Sequence, residues 1–177
     1  MRRACKIFTL HLHLVILDGS MGRDASKLGG VRDVGSSSLS PGYSLREGAP
    51  APSDYLQLRV QAGLSPKTEE QAMAAISGSW AACHVVHEAE ARSVAMGRLI
   101  GDGGWYFHVV DMAVLPEHQR RGLGSAVLTY LLEQIRQRAP RDAYVSLLAD
   151  PPGRQLYARY GFVESAPDSL GMALVLD

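Results

Sequence analysis

Hydrophobic positions along this chain change period repeatedly, and each change predicts an element. Leu123, Val127, Leu128, Leu131, Leu132 and Ile135 recur at helical spacing until Pro140 stops the pattern, which predicts a helix over 123–138. Before it, 80–87, 92–100 and 104–114 read as strands, with Gly101-Asp102-Gly103-Gly104 turning between the last two. A strand at 43–47, a helix at 53–62 capped by Ser53 and a helix at 66–77 with Pro66 in its first turn precede these. After the long helix come a strand at 143–148, a helix at 153–160, and closing strands at 162–165 and 171–176. Strands and helices alternate, so the fold class is α/β (α+β).

The first forty residues break this pattern. Met1 to Leu17 carries Arg2, Arg3 and Lys6, has no acid until Asp18, and contains an apolar run interrupted by His11 and His13. That run is short for a secretory signal and lacks a small-residue cleavage site, while a mitochondrial presequence would hold more arginine and serine. Ser20 to Pro41, with Gly29-Gly30 and Ser36-Ser37-Ser38, has linker composition. The expectation is a flexible extension over 1–41 and one domain over 42–177. No segment has the length of a membrane span. A cytoplasmic location is expected, with a mitochondrial one as the alternative.

Composition narrows the class. A chain of 177 residues with 46% hydrophobic content supports one well-buried core. With 18 basic and 18 acidic residues there is no net charge, so a nucleic-acid partner is not expected. Two cysteines, Cys5 and Cys83, make no disulfide framework or ligand set, and no metal site is expected.

Chemistry concentrates in Val109-Val110-Asp111-Met112-Ala113-Val114-Leu115-Pro116-Glu117-His118-Gln119-Arg120-Arg121-Gly122-Leu123-Gly124-Ser125, a strand leading through a basic glycine loop into the long helix. Gly122 and Gly124 remove the side chains that would hold an anion off the backbone, so successive N–H groups can converge on a phosphate at the helix start. Arg120 and Arg121 add positive charge. About thirty residues on, Arg154-Gln155-Leu156-Tyr157-Ala158-Arg159-Tyr160-Gly161-Phe162 reads as a short helix closed by glycine.

These two motifs, in this order, resemble the acetyl-CoA-binding half of the GNAT superfamily of N-acetyltransferases. The resemblance covers roughly 43–177, with its specific motifs in 109–125 and 150–162. It implies a twisted mixed sheet with flanking helices, splayed between its fourth and fifth strands to admit the cofactor's pantetheine arm. It implies acetyl-CoA as cosubstrate, held by Met112, Ala113, Val114, Gln119, Arg120, Arg121, Gly122, Leu123, Gly124, Ser125, Asp150, Gly153 and Tyr157. Asp150 stands where the family often has asparagine, and an acid cannot replace the amide donor. The fourth strand is expected to bulge, with the Met112 N–H as oxyanion donor and Val114 pairing with pantetheine.

Tyr157 matches the family's acid for the leaving thiolate; a phenol of unperturbed pKa near 10 is protonated at neutral pH. A packing tyrosine is the alternative. His108 matches one of two strand histidines of the arylalkylamine N-acetyltransferases, the other position being Val110; it is a candidate proton relay or a structural histidine, with Asp111 the rival base or ammonium anchor. On the acceptor side the resemblance points to Tyr55, Leu56, Arg59, Trp80, Trp105 and Tyr106, a partly aromatic wall suited, with Asp111, to a protonated amine. The favoured activity is direct acetyl transfer to a primary amine of a small molecule. Protein N-terminal or lysine acetylation, and a catalytically silent acyl-CoA-binding module, are the alternatives. Terminal strands often pair members of this family into homodimers, so a homodimer is an open expectation.

Overall fold

The computed structural model describes residues 39–176, so the expectations for 1–38 lie outside the described residues. Leu39 packs against the core, and the Ser40 hydroxyl donates to the Arg121 carbonyl at 3.3 Å. The elements in order are β1 (Tyr43–Glu47), α1 (Pro52–Gln61), α2 (Glu69–Ser77), β2 (Ala81–His87), β3 (Arg92–Gly101), β4 (Tyr106–Val114), α3 (Leu123–Arg138), β5 (Tyr144–Leu147) and α4 (Arg154–Arg159). Short 3-10 turns at Pro116–His118 and Pro151–Gly153 precede α3 and α4.

The sheet order is β1-β2-β3-β4-β5. Neighbours through β4 are antiparallel, and β5 runs parallel to β4 because α3 carries the chain back across the face. The apolar stripe of α3 (Leu123, Val127, Leu128, Leu131, Leu132, Ile135) is buried against β2, β3 and β4. Each such leucine contributes about 1.5–3 kcal/mol on leaving water.

Three helix starts differ from the sequence reading. α1 begins at Pro52, with Ala51 rather than Ser53 at its cap position, and proline's fixed φ suits that first turn. α2 begins at Glu69, leaving Pro66 outside, because Thr68 and Gln71 form a reciprocal capping box that satisfies two N–H groups at once. α4 begins at Arg154 after the 3-10 turn.

The expected strands at 162–165 and 171–176 are not formed. A turn joins Ser165 and Ser169 through two hydrogen bonds of 2.9 and 3.1 Å, and neither segment forms a ladder with β5, the four-residue strand that ends the sheet. Leu170, Met172, Leu174, Val175 and Leu176 are exposed as a result.

Two features of β4 shape the site. Met96 pairs Ala113 and Arg98 pairs Val110, so Asp111 and Met112 oppose the single residue Gly97 in a β-bulge. Asp111 takes φ +54°, a left-handed conformation that aspartate tolerates better than most residues. Gly97 is needed across from it: a Cβ there would lie 2.6 Å from both Met112 Sδ and Val127 Cγ1. Beyond the bulge, β4 has left β5, since their pairing spans Tyr106 to Val109 and ends. The sheet is thus splayed between its fourth and fifth strands.

Candidate active site

The splay opens a cleft of about 560 Å³. One wall is β4 from His108 to Val114, a second is the loop and helix start from His118 to Ser125, and a third comes from Asp150, Gly153 and Tyr157. Sequence segments more than forty residues apart therefore meet in one cavity, and they include Met112, Ala113, Val114, Gln119, Arg120, Gly122, Leu123, Gly124 and Ser125 of the expected cofactor set. Arg121 does not line it. Its guanidinium lies 6.0 Å from the Tyr43 ring centroid and donates to the Glu117 carbonyl at 3.4 Å.

The helix start opens onto the cleft without a side-chain cap. Arg120 and Gly122 both have positive φ, +64° and +80°, and they swing the chain so that α3 opens toward the cleft. Gly122 sits at its cap position with no side chain capping the first turn, where N–H groups and helix dipole combine. At the other end of the loop, Gln119 Nε2 donates to the Val114 carbonyl at 3.1 Å and ties the glycine loop to the bulged strand. The Tyr160 hydroxyl donates to the Ser125 carbonyl at 2.9 Å, holding the first turn of α3 against α4.

Space at Gly122 makes a clean test. A Cβ there meets nothing within 4 Å, yet a left-handed φ costs an L-residue about 1–2 kcal/mol, and the added side chain would stand at the cleft. Gly122→Val is expected to stay folded and lose at least about tenfold in acetyl-CoA affinity. Unchanged affinity by titration calorimetry in the folded variant would remove the phosphate assignment.

Tyr157 is placed by a glycine. A Cβ on Gly153 would come within 2.9 Å of Tyr157 Cε2 and 3.6 Å of its hydroxyl, so the ring lies across the 3-10 turn in space that a side chain at 153 would contest. Phe162 supports it edge-on at 6.1 Å. Burial, with the Asp150 carboxylate adding to it, raises the phenol above its ordinary pKa. The hydroxyl is therefore kept protonated over a wider pH range.

His108 projects into the same cleft with Nδ1 2.7 Å from Ser146 Oγ on β5. Ser146 also reaches the Tyr106 hydroxyl at 3.1 Å and the Phe107 carbonyl at 3.4 Å. With the serine proton directed to either, Ser146 accepts from Nδ1–H, and Nε2 is left as the acceptor nitrogen. Burial lowers the pKa of His108, so the ring is neutral at physiological pH.

Asp111 lines the cleft, but its carboxylate is engaged beneath the sheet. Arg98 Nε and Nη2 each lie 2.7 Å from Oδ2, Arg59 Nη1 binds Oδ1, and the Tyr55 hydroxyl donates to Oδ2 at 2.5 Å. Burial pushes this carboxyl upward, but the Tyr55 hydrogen bond and the two guanidinium groups outweigh it and hold the pKa below the usual carboxylate range. The arginines are anchored in turn, Arg59 on Ser65 and Arg98 on the Ala75 carbonyl and Ser79. The signal available for Arg98 is a lone arginine within the apolar run Ser93-Val94-Ala95-Met96-Gly97-Arg98-Leu99-Ile100.

The other acceptor-side candidates lie away from the cleft. Tyr55 is 1% exposed and faces Asp111 from inside the core. Trp105 and Tyr106 are partly exposed at the opposite end of β4, where Tyr106 stacks on Tyr144. Leu56 and Trp80 pack against the core, and Trp80 lies under the Arg138 guanidinium. Ala62 and Leu64, from the connection between α1 and α2, line the cleft instead and were not among the residues singled out by sequence.

A splayed mixed sheet, a bulged fourth strand and an uncapped glycine helix start define an acyl-CoA-type transferase fold. The family described as "Acetyltransferase (GNAT) domain" matches residues 80–164. A Staphylococcus aureus structure described as a probable acetyltransferase is 36% identical, with a TM-score of 0.71 over 76% of this chain and 99% of that one. A GNAT family acetyltransferase from Streptococcus pneumoniae is 27% identical, with a TM-score of 0.61 over 76% of this chain and 98% of that one. Among curated proteins, the chloroplastic GCN5-related N-acetyltransferase 1 of Arabidopsis thaliana is 34% identical over 92 residues, 51% of this chain and 45% of that protein. An uncharacterized N-acetyltransferase of Pyropia yezoensis is 28% identical over 85 residues, 48% of each. The matches span about half the length of these curated relatives. The chain belongs to the GNAT acetyltransferase superfamily.

No helix among the described residues is long and apolar enough to cross a membrane.

Proposed function

We propose that this chain is an N-acetyltransferase that moves acetyl from acetyl-CoA directly to a primary amine of a small molecule. The observation that carries the acetyl-transfer part of this reading is the convergence of the bulged strand, the uncapped start of α3 and the Tyr157 phenol on one cleft; the acceptor class is left to the experiment below. The residues present fit the cosubstrate: glycine and left-handed backbone at the helix start admit a pyrophosphate, and β4 beyond Val109 has no β5 partner to exclude an extended arm. Bound there, acetyl-CoA supplies an acetyl group activated as a thioester.

The protein's part is to position, polarise and move protons. The backbone of Val114 and its neighbours aligns the arm, and the Met112 N–H stabilises the oxyanion that develops as the amine attacks. As the C–N bond forms and the C–S bond breaks, the amine proton leaves by way of His108 Nε2, directly or through water, and the Tyr157 hydroxyl gives its proton to the departing thiolate. Asp111, held by two arginines, shapes the bulge that presents Met112 rather than taking the amine proton. The described domain contains every residue in this scheme.

Release of free thiol, followed across a panel of small amines and N-terminal or lysine peptides, tests the reading. A small amine as the best acceptor supports it; peptide preference would move the acceptor to a protein. Acetyl-CoA binding with no turnover on any amine would leave a silent binding module.

His108 adds a pH signature. Its lowered pKa leaves the ring neutral above that value, so activity should fall as pH drops through it and the ring takes up a proton. His108→Ala should lose that acidic limb and regain part of its rate at high pH, where more amine is already neutral. An unaltered pH–rate profile in the variant would return His108 to a structural role.

A further inference from the structure

At the root of the glycine loop, where His118 borders the cleft, two histidines and a glutamate converge without any part in the transfer chemistry. His87 ends β2, Glu90 lies in the turn to β3, and His118 closes the 3-10 turn that leads into Gln119. One ligand atom from each, two imidazole nitrogens and a carboxylate oxygen, all lie within 4.8 Å of one another. His87 Nδ1 is 2.9 Å and His118 Nε2 3.6 Å from the Glu90 oxygens.

Hydrogen bonding does not account for this arrangement. Both His87 Nδ1 and His118 Nε2 are buried and without a hydrogen-bond partner; the first is close to Glu90 but misaligned, and the second is out of reach. A buried polar nitrogen left so costs about 1–3 kcal/mol. His118 is 3% exposed, and its other nitrogen, Nδ1, lies 2.9 Å from the Tyr43 hydroxyl. If Nδ1 carries the proton and donates it to Tyr43, Nε2 presents a lone pair into the cluster, the arrangement by which outer partners orient metal-binding histidines. Arg92 Nε donates to Glu90 Oε2 at 2.7 Å and its Nη2 to Glu117 at 2.7 Å, so on the open side the cluster ends in an exposed carboxylate that is shared with an arginine and stays movable.

We propose that His87, Glu90 and His118 form a binding site for a divalent transition-metal ion of the zinc class. Imidazole and carboxylate donors suit zinc, cobalt or nickel over magnesium or calcium. Tetrahedral bonds near 2.1 Å place ligand atoms about 3.4 Å apart; the three donors lie within 4.8 Å of one another, His87 nearest one Glu90 oxygen and His118 nearest the other, so binding requires a modest contraction that the exposed Glu90 side chain can supply by exchanging Arg92 for the ion. The ion would join the β2–β3 turn to the 3-10 turn at the root of the glycine loop, with a fourth position left for water. Cysteine count carries no trace of such a site, since all three ligands are histidine or glutamate.

The test uses the full, tag-free chain, stripped with chelator and titrated with Zn²⁺ or Co²⁺ at pH 7.5. One equivalent of Zn²⁺ by calorimetry and the visible absorption of tetrahedral Co²⁺ are expected, with no comparable binding of Mg²⁺. Glu90→Gln and His87→Gln should each weaken Zn²⁺ binding at least tenfold, and Tyr43→Phe about tenfold through the outer contact. The site is overturned if Zn²⁺ fails to bind the folded chain, if affinity is unchanged in both Glu90→Gln and His87→Gln, or if binding is lost on replacing His11 and His13 or His108 instead.

Discussion

Tyr157→Phe is expected to lower kcat by roughly 10²–10⁴ while acetyl-CoA affinity changes little. The substitution keeps the ring that fills the space left by Gly153 and meets Phe162, and removes the hydroxyl alone. Burial and Asp150 raise the phenol's pKa, so the loss should be uniform across neutral pH: the wild-type group stays protonated throughout that range. Steady-state rates with calorimetric affinities decide it. Full activity in the variant would rule out Tyr157 as an essential acid. Gly153→Ala offers a steric companion, since its Cβ would displace the same ring and lower kcat with the hydroxyl still present.

The second large effect concerns stability. Asp111→Asn should destabilise the domain by about 3–5 kcal/mol, because it leaves Arg59 and Arg98 buried with no countercharge. Asparagine tolerates left-handed φ as aspartate does, so the loss reports charge rather than backbone strain at φ +54°. For a domain of this size that is a fall of roughly 6–20 °C in Tm. The carboxyl's pKa is depressed on folding, so its contribution is complete above the free value near 3.9 and is lost as pH falls through the folded value. The wild type should therefore lose its advantage over the variant in acid. A Tm within about 2 °C of wild type at neutral pH would show that the arginines are satisfied without Asp111.

Most of the architecture was legible because local patterns there coincide with tertiary demands. β1 and α3 have the bounds that periodicity predicts, as α3's apolar stripe is both the helical signal and the face that must be buried. Where a pattern was local but its partner was not, the reading went astray. Apolar residues at 171–176 look like a strand, yet a strand exists through pairing, and these residues form no ladder with β5, the short strand at the sheet's edge. Pro66 looks like a helix start, yet the Thr68–Gln71 box satisfies more backbone groups.

Within the site, the glycine loop and the tyrosine helix were legible as elements from residue type and spacing, and it was their order along the chain, through the resemblance to the GNAT family, that gave them expected roles. Their meeting across one cleft was implied by the resemblance to the GNAT family, and it is the tertiary structure that places them there. Orientation was decided there too. Asp111 faces two arginines, Arg121 turns to Tyr43, Tyr55 is sealed inside, and Trp105 and Tyr106 sit at the far end of β4. His87, Glu90 and His118 meet for the same reason. Alternation along a strand assigns a face only until a bulge resets it, and the partner of a buried charge can come from any element that packs there; both are properties of the folded sheet and not of the local chain.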